Sequence, residues 1–295
     1  MDRPYVAAGA FRAGSVLVGG PDLVLLAGPC VLETREAALR SADFLAEVCR
    51  RLGVPFVFKA SFDKANRTSP GAFRGPGLET GLAWLRAVRD TVGVPVTTDV
   101  HLPAQAALAA EAVDLLQVPA FLCRQSDLVE ACAHTGRPVN VKKGPFLAPG
   151  AMAGVVDRLR GAGAAGILLT ERGTSFGHGD LVVDYRGLPV LRALGVPVCM
   201  DATHACQRPP LGDTASGGDR SFAAPLARAA VAVGVDAIFL EVHEDPDRAP
   251  SDAASMLPFS AVEPLLRSLL ALRAGLARAD DGREPQGPPR GLDMP

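Results

Sequence analysis

Short apolar runs alternate with amphipathic stretches along most of the chain. Leu23–Gly28 is a continuous apolar run. Phe56–Lys59, Val94–Thr98, Asp114–Gln117, Pro138–Val141, Gly166–Thr170, Val196–Met200 and Ala237–Glu241 follow it, mostly in the residue types of buried strands. Between the first two runs, Leu39, Ala42, Leu45, Ala46, Cys49 and Leu52 recur at helical spacing. Thr34 is placed to cap that helix and Gly53 to stop it. Leu78–Thr91, Pro103–Ala112, Gln125–Thr135, Ala151–Ala162, Tyr185–Leu194, Phe222–Val233 and Ala261–Leu276 repeat the amphipathic pattern. Eight strands alternating with eight helices predict a single α/β domain, a parallel (β/α)8 TIM barrel over residues 23–276. A doubly wound open sheet has the same alternation and stands as the alternative. Residues 1–22 are expected to form an arm or short hairpin, and 277–295, rich in Asp, Arg, Gly and Pro, a disordered tail.

Barrel sites form where the strands end. The expected strand ends carry Cys30, Lys59, Asp99 with His101, Gln117 with Arg124 just beyond, Asn140 with Lys142 and Lys143, Glu171 with Arg172, Asp201 with His204, and Glu241 with His243. Several opposite ends are plain turns: Gly53-Val-Pro, Gly93-Val-Pro, Gly136-Arg-Pro and Gly195-Val-Pro. Ionisable groups therefore gather at one rim. Any one of them has a bland explanation as a strand-end residue meeting solvent, but eight together call for a charged ligand.

Charge and composition narrow the classes. Lys plus Arg is 30 and Asp plus Glu is 32, so no basic field exists to hold nucleic acid. Aromatic residues are 5%, too few for a base-stacking platform. No apolar run has membrane-spanning length and the start lacks a signal-peptide pattern. Six cysteines without a CxxC pair fit a reducing, cytoplasmic setting. Walker A, GxGxxG and Gly-x-Ser-x-Gly motifs are absent, which removes the usual nucleotide and serine-hydrolase readings.

Two chemistries remain. Lys59, Lys64, Arg67, Arg124, Lys142 and Arg172 are six cations that would repel one another without polyanionic ligands. Cys30, His204, Glu241 and Asp252 form a mixed S/N/O donor set suited to one divalent transition metal ion such as Zn, Fe or Mn. The plain alternative is a buried Cys30 and a hydrogen-bonded His204. Cys206 and His243 lie two residues from candidate ligands and are expected to point away. Lys59 at a barrel strand end is also a candidate Schiff-base lysine, and a catalytically silent anion-binding barrel is the non-enzyme reading.

The strings Ala27-Gly-Pro-Cys30, Phe58-Lys-Ala-Ser-Phe-Asp-Lys-Ala-Asn-Arg67, Phe73-Arg-Gly-Pro-Gly77, Thr98-Asp-Val-His101, Gln117-Val-Pro-Ala-Phe-Leu-Cys-Arg-Gln125, Asn140-Val-Lys-Lys143, Thr170-Glu-Arg-Gly173 and Asp201-Ala-Thr-His204 resemble the 3-deoxy-D-manno-octulosonate 8-phosphate synthase family. The resemblance implies a tetrameric barrel transferase condensing phosphoenolpyruvate with D-arabinose 5-phosphate for lipopolysaccharide core synthesis. It implies that Lys59, Lys64, Gln117, Arg124, Lys142 and Arg172 hold phosphoenolpyruvate, that Asn66, Arg67 and Thr68 hold the sugar phosphate, and that Lys59, Asp99 and His204 serve the chemistry. Cys30 resembles the metal-requiring branch, with His204, Glu241 and Asp252 as further ligands; metal-free members have Asn there. Thr68-Ser69-Pro70 departs from the family's usual pair of serines and resembles a related synthase that uses erythrose 4-phosphate, whereas Asn66 favours arabinose. Leu102 stands where an acid is usual.

Overall fold

Eight parallel strands close into a ring in the computed structural model, which describes residues 9–65, 71–176, 179–208 and 217–280. They are β1 Val24–Gly28, β2 Phe56–Lys59, β3 Val96–Asp99, β4 Leu115–Val118, β5 Val139–Lys142, β6 Ile167–Glu171, β7 Val198–Asp201 and β8 Ala237–His243. Each pairs with the next, and β8 returns to β1 in a register running from Ala237 opposite Val24 to Glu241 opposite Gly28. A closed ring has no edge, so the open-sheet alternative is excluded.

The helices outside it are α1 Arg35–Leu52, α2 Leu78–Val92, α3 Ala106–Ala112, α4 Ser126–His134, α5 Ala153–Gly161, α6 Gly187–Arg192, α7 Ala223–Val233 and α8 Phe259–Asp280. The Thr34 hydroxyl accepts a hydrogen bond from the Ala37 amide, and Gly53 closes α1 with φ 67°. The final helix continues to Asp280, past its expected end at Leu276; residues 281–295 lie outside the described part.

Strand ends differ from expectation in a consistent way. Pro95, Pro138 and Pro197 have no N–H to give the ladder, so pairing starts after them. At the other end β3, β5, β6 and β7 each run one residue further, making Asp99, Lys142, Glu171 and Asp201 the last residues of their strands. These polar groups are thus fixed by the ladder itself and do not ride on loops.

Alternation along the strands sorts the barrel interior into layers. The lower layer is apolar: Val24, Leu26, Val57, Leu115, Leu168, Cys199, Ala237 and Phe239 form one buried cluster. The amino-terminal hairpin, Phe11–Ala13 paired with Val16–Val18, adds Phe11, Ala13, Val16 and Val18 to it and closes that end. A Cβ on Gly166 would sit 2.2 Å from the Phe11 ring, so the plug seats only because residue 166 has no side chain. Inward positions one step higher are Lys59, Asp99, Gln117, Lys142, Asp201 and Glu241, all buried. All six cysteines are unpaired. No helix among the described residues is long and apolar enough to cross a membrane.

Candidate active site

Charged side chains buried in an apolar barrel must find partners, because an unpaired buried charge costs several kcal/mol. They find one another. The Lys59 ammonium donates to Glu241 Oε1 at 2.6 Å and to the Cys30 carbonyl at 3.3 Å, and lies 3.8 Å from Asp99 Oδ2. Lys64 lies 3.9 Å from the same Asp99 oxygen. Lys142 donates to Asp201 Oδ2 at 2.5 Å and sits 3.6 Å above the centre of the Phe239 ring, a cation–π contact that forms the floor of the site. Tight packing sets these positions: a Cβ on Gly28 would fall 2.1 Å from the Lys59 carbonyl oxygen.

Burial alone would raise the Asp99 carboxyl, but Lys59, Lys64, Lys142 and His101 outweigh it and hold the group far below the ordinary carboxylate range. Its oxygens accept from Ser61 and, at 2.6 Å, from Gln117 Nε2. A polar belt continues around the barrel: Asn140 Nδ2 donates to Gln117 Oε1 at 2.9 Å, and Thr170 Oγ1 to Asn140 Oδ1 at 2.7 Å. Asp99 is therefore held as an anion with both oxygens engaged. Burial pulls Lys64 down, yet the negative charges of Cys30 when ionised, Asp99, Glu241 and Asp252 hold it above the usual lysine range.

Asp201 joins two functional groups. Its Oδ2 meets Lys142 and, at 2.7 Å, His204 Nδ1, while Oδ1 accepts from the Thr203 hydroxyl at 3.1 Å and the His204 amide at 2.9 Å. Burial opposes ionisation, but His204 and Lys142 keep the carboxyl well below its ordinary range. The carboxylate accepts from Nδ1, which turns Nε2 toward Glu241 Oε1 at 3.6 Å and Asp252 Oδ2 at 3.8 Å.

Around Nε2 the other candidate ligands converge. Ligand atoms of Cys30, His204 and Asp252 all lie within 4.8 Å of one another. The Cys30 thiol donates to Asp252 Oδ2 at 2.8 Å; burial, reinforced by Asp252, pushes it up to about 12. Glu241 Oε2 is buried with no hydrogen-bond partner among the described residues, an orphan acceptor beside the cluster. Thiol, imidazole and two carboxylates with an unused oxygen fit a divalent ion.

The expected cations do not form a bare positive patch. Lys59, Lys64, Lys142 and Arg172 face Asp99, Asp201, Glu241, Asp252 and Glu171, so the positive groups stand against carboxylates. Arg172 is buried; its guanidinium donates to Gln207 Oε1 at 2.5 Å. Arg124 is not brought in: it is exposed and lines a cavity of about 220 Å³ with Ser126, Val129, Val155 and Arg158 on α4 and α5. Asn66, Arg67 and Thr68 lie outside the described residues. As expected, Cys206 turns to the Ala202 carbonyl and His243 to Glu33.

Sequence reasoning missed the roles of Asp201, Gln207, Phe239 and Lys143. Asp201 and Phe239 share the inward phase of their strands with Cys199 and Glu241, a signal readable once the period is assigned. Lys143 points the other way: wholly buried, it donates to the Gly144 and Leu147 carbonyls and Thr174 Oγ1, and lies 3.6 Å from Glu171, bracing the loops that follow β5 and β6.

Comparison with known proteins points the same way as this geometry. The DAHP synthetase I family matches residues 8–273. Proteins named 2-dehydro-3-deoxyphosphooctonate aldolase are similar over most of the chain. The one from a Cyanothece species is 55% identical over 258 residues, covering 88% of this chain and 94% of its own length. That of Magnetococcus marinus is 56% identical over 250 residues, 85% of this chain and 87% of its own. That of Trichlorobacter lovleyi is 53% identical over 262 residues, 88% and 96% respectively.

Proposed function

Because the chain belongs to the DAHP synthetase I family and stands among its 2-dehydro-3-deoxyphosphooctonate aldolases, we infer that it condenses phosphoenolpyruvate with D-arabinose 5-phosphate and water. The products are 3-deoxy-D-manno-octulosonate 8-phosphate and inorganic phosphate. The observation that carries this reading is the closure of Lys59, Lys64, Lys142 and Arg172 into one buried group at the barrel mouth, with Lys142 Nζ 3.5 Å from His204 Nδ1. A carbon–carbon bond forms between the terminal enol carbon and the aldehyde carbon. Water adds at the enol carbon, the aldehyde oxygen takes a proton, and the bond from that carbon to the phosphate oxygen breaks.

The four cations exchange their carboxylate partners for the carboxylate and phosphate of phosphoenolpyruvate, over the polar belt of Gln117, Asn140 and Asp99. Asn66, Arg67 and Thr68 take the sugar phosphate. Arg124, exposed on the outer ring, is left out of the phosphoenolpyruvate set. Lys59 acts as an ammonium, because Glu241 and the Cys30 carbonyl already hold it as a donor; a borohydride-trapped adduct on Lys59 would count against that. Phosphate release from phosphoenolpyruvate is expected with arabinose 5-phosphate and not with erythrose 4-phosphate. The opposite pattern would move the assignment to the related synthase, and none with either to a silent barrel.

Cys30, His204, Asp252 and Glu241 would hold one divalent ion such as Zn, Fe or Mn, which supplies Lewis acidity for the aldehyde or the water. Exhaustive chelation is expected to abolish turnover and added divalent ion to restore it; full activity after chelation refutes the ligand set. Phe73, Leu102, Phe121, Phe146, Phe176 and Phe222 are exposed on loops that follow β2 to β7. So much apolar surface at one end supports self-association, as a homotetramer. A monomeric mass in sedimentation velocity at micromolar concentration rules that out. The unpaired cysteines support a cytoplasmic setting.

A further inference from the structure

One side chain touches both halves of the site and belongs to neither half's set of ligands. Gln207 stands where the loop after β7 is tied at its base, on a two-residue strand opposite Gly217–Gly218, with the Asp219 amide also donating to the Cys206 carbonyl. Its Oε1 accepts from Arg172 and its Nε2 donates to Asp252 Oδ1 at 2.6 Å. The amide orientation is dictated, since a guanidinium only donates and a carboxylate only accepts. Asp252 in turn accepts from the Cys30 thiol through Oδ2, and has a left-handed backbone with φ 52°, which aspartate adopts more readily than most residues. The chain of contacts Arg172–Gln207–Asp252–Cys30 thus links a buried oxyanion donor to the metal cage.

We propose that Gln207 is a positioning residue through which occupancy of the oxyanion site and of the Cys30–His204–Asp252 cage are coupled, each tightening the other. This rests on the metal reading above. The sign follows from charge. Carboxylates partner the buried cations at the mouth. A divalent ion adds positive charge there, which favours a polyanion, and the polyanion favours the ion in return. Gln207 makes this mechanical as well as electrostatic: Arg172 drawn onto a ligand oxygen pulls or frees the amide that sets the Asp252 carboxylate. Asp201, between Lys142 and His204, is a second link that Gln207 variants leave in place.

The test is a titration of the full chain with cobalt(II), followed by the thiolate-to-cobalt absorption, with and without phosphoenolpyruvate and with no sugar phosphate present. In the wild type, phosphoenolpyruvate is expected to tighten cobalt binding about tenfold, and cobalt to tighten phosphoenolpyruvate binding by the same factor in calorimetry. In Gln207→Met, which keeps the bulk and removes both hydrogen bonds, the factor is expected to fall below about threefold. Gln207→Asn, which keeps the amide but shortens its reach, is expected to lie between, and serves if the Met variant does not fold. A wild-type factor of unity, or equal factors in wild type and variants, overturns the proposal. Failure of the wild type to develop the thiolate–cobalt absorption overturns the metal reading instead, so the two failures are distinct.

Discussion

Lys59→Met is expected to lower the stability of the folded chain by about 3–5 kcal/mol and to reduce turnover by at least ~10²-fold. Lys59 is wholly buried and donates to Glu241 Oε1, whose companion oxygen has no partner among the described residues. Methionine fills much the same space, so the loss is electrostatic, with little cavity. It leaves the Glu241 carboxylate without its ammonium donor, with His204 Nε2 3.6 Å from Oε1. Asp99 loses a counter-ion 3.8 Å away but keeps Ser61 and Gln117 as donors, so Glu241 bears the larger share. The melting temperature should fall by roughly 6–15 °C at this chain length. Added divalent ion should recover part of that loss, because it offers Glu241 a new cation; recovery in Lys59→Met beyond that in wild type is the diagnostic measurement. A variant that melts with the wild type and keeps its turnover would remove Lys59 from the centre of the site.

Why the barrel was legible and parts of the site were not comes down to what a linear pattern encodes. Buried parallel strands read as apolar runs, and Gly-x-Pro turns mark where several begin, so strand number and order could be counted. Strand starts slipped by one or two residues where proline's missing N–H delays pairing. Rim position identified Lys59, Lys142, Arg172 and His204 together with Asp99, Asp201 and Glu241, but not that these carboxylates pair with the cations, since inward phase is known only once strand ends are fixed. Arg124 follows the turn Ala120–Leu122 and lines a cavity with residues of α4 and α5, a placement that rim position alone does not show. Gln207 had no signal at all, because its two partners come from residues 35 and 45 positions away.

Asp201→Asn tests whether the two halves of the site share an anchor, and it should cost about 10–100-fold in metal affinity together with a fall of about 10²-fold or more in kcat/KM. The substitution changes no volume, so its effect is a matter of donors and acceptors. In the wild type one oxygen takes the Thr203 hydroxyl and the His204 amide, and the other takes the Lys142 ammonium and the protonated His204 Nδ1. An asparagine offers one oxygen and one NH2. If the oxygen serves Thr203 and the His204 amide, the NH2 confronts two donors, Lys142 and His204 Nδ1–H. The imidazole relieves this by moving its proton to Nε2, which turns the lone pair toward the new amide and away from Cys30 and Asp252. If the amide flips, Thr203 and the backbone donor lose their acceptor, and Thr203 also receives the Glu241 amide at 2.9 Å, so the error reaches β8. In the first case the donor cage loses its nitrogen, in the second the segment that carries His204 loses its backbone anchor, and in both Lys142 loses a counter-ion while keeping the Phe239 face. Cobalt titration and steady-state kinetics on the same preparation separate the two losses. Wild-type cobalt affinity in the Asp201→Asn variant would show that His204 does not depend on Asp201 for its tautomer, and the shared anchor would have to be given up.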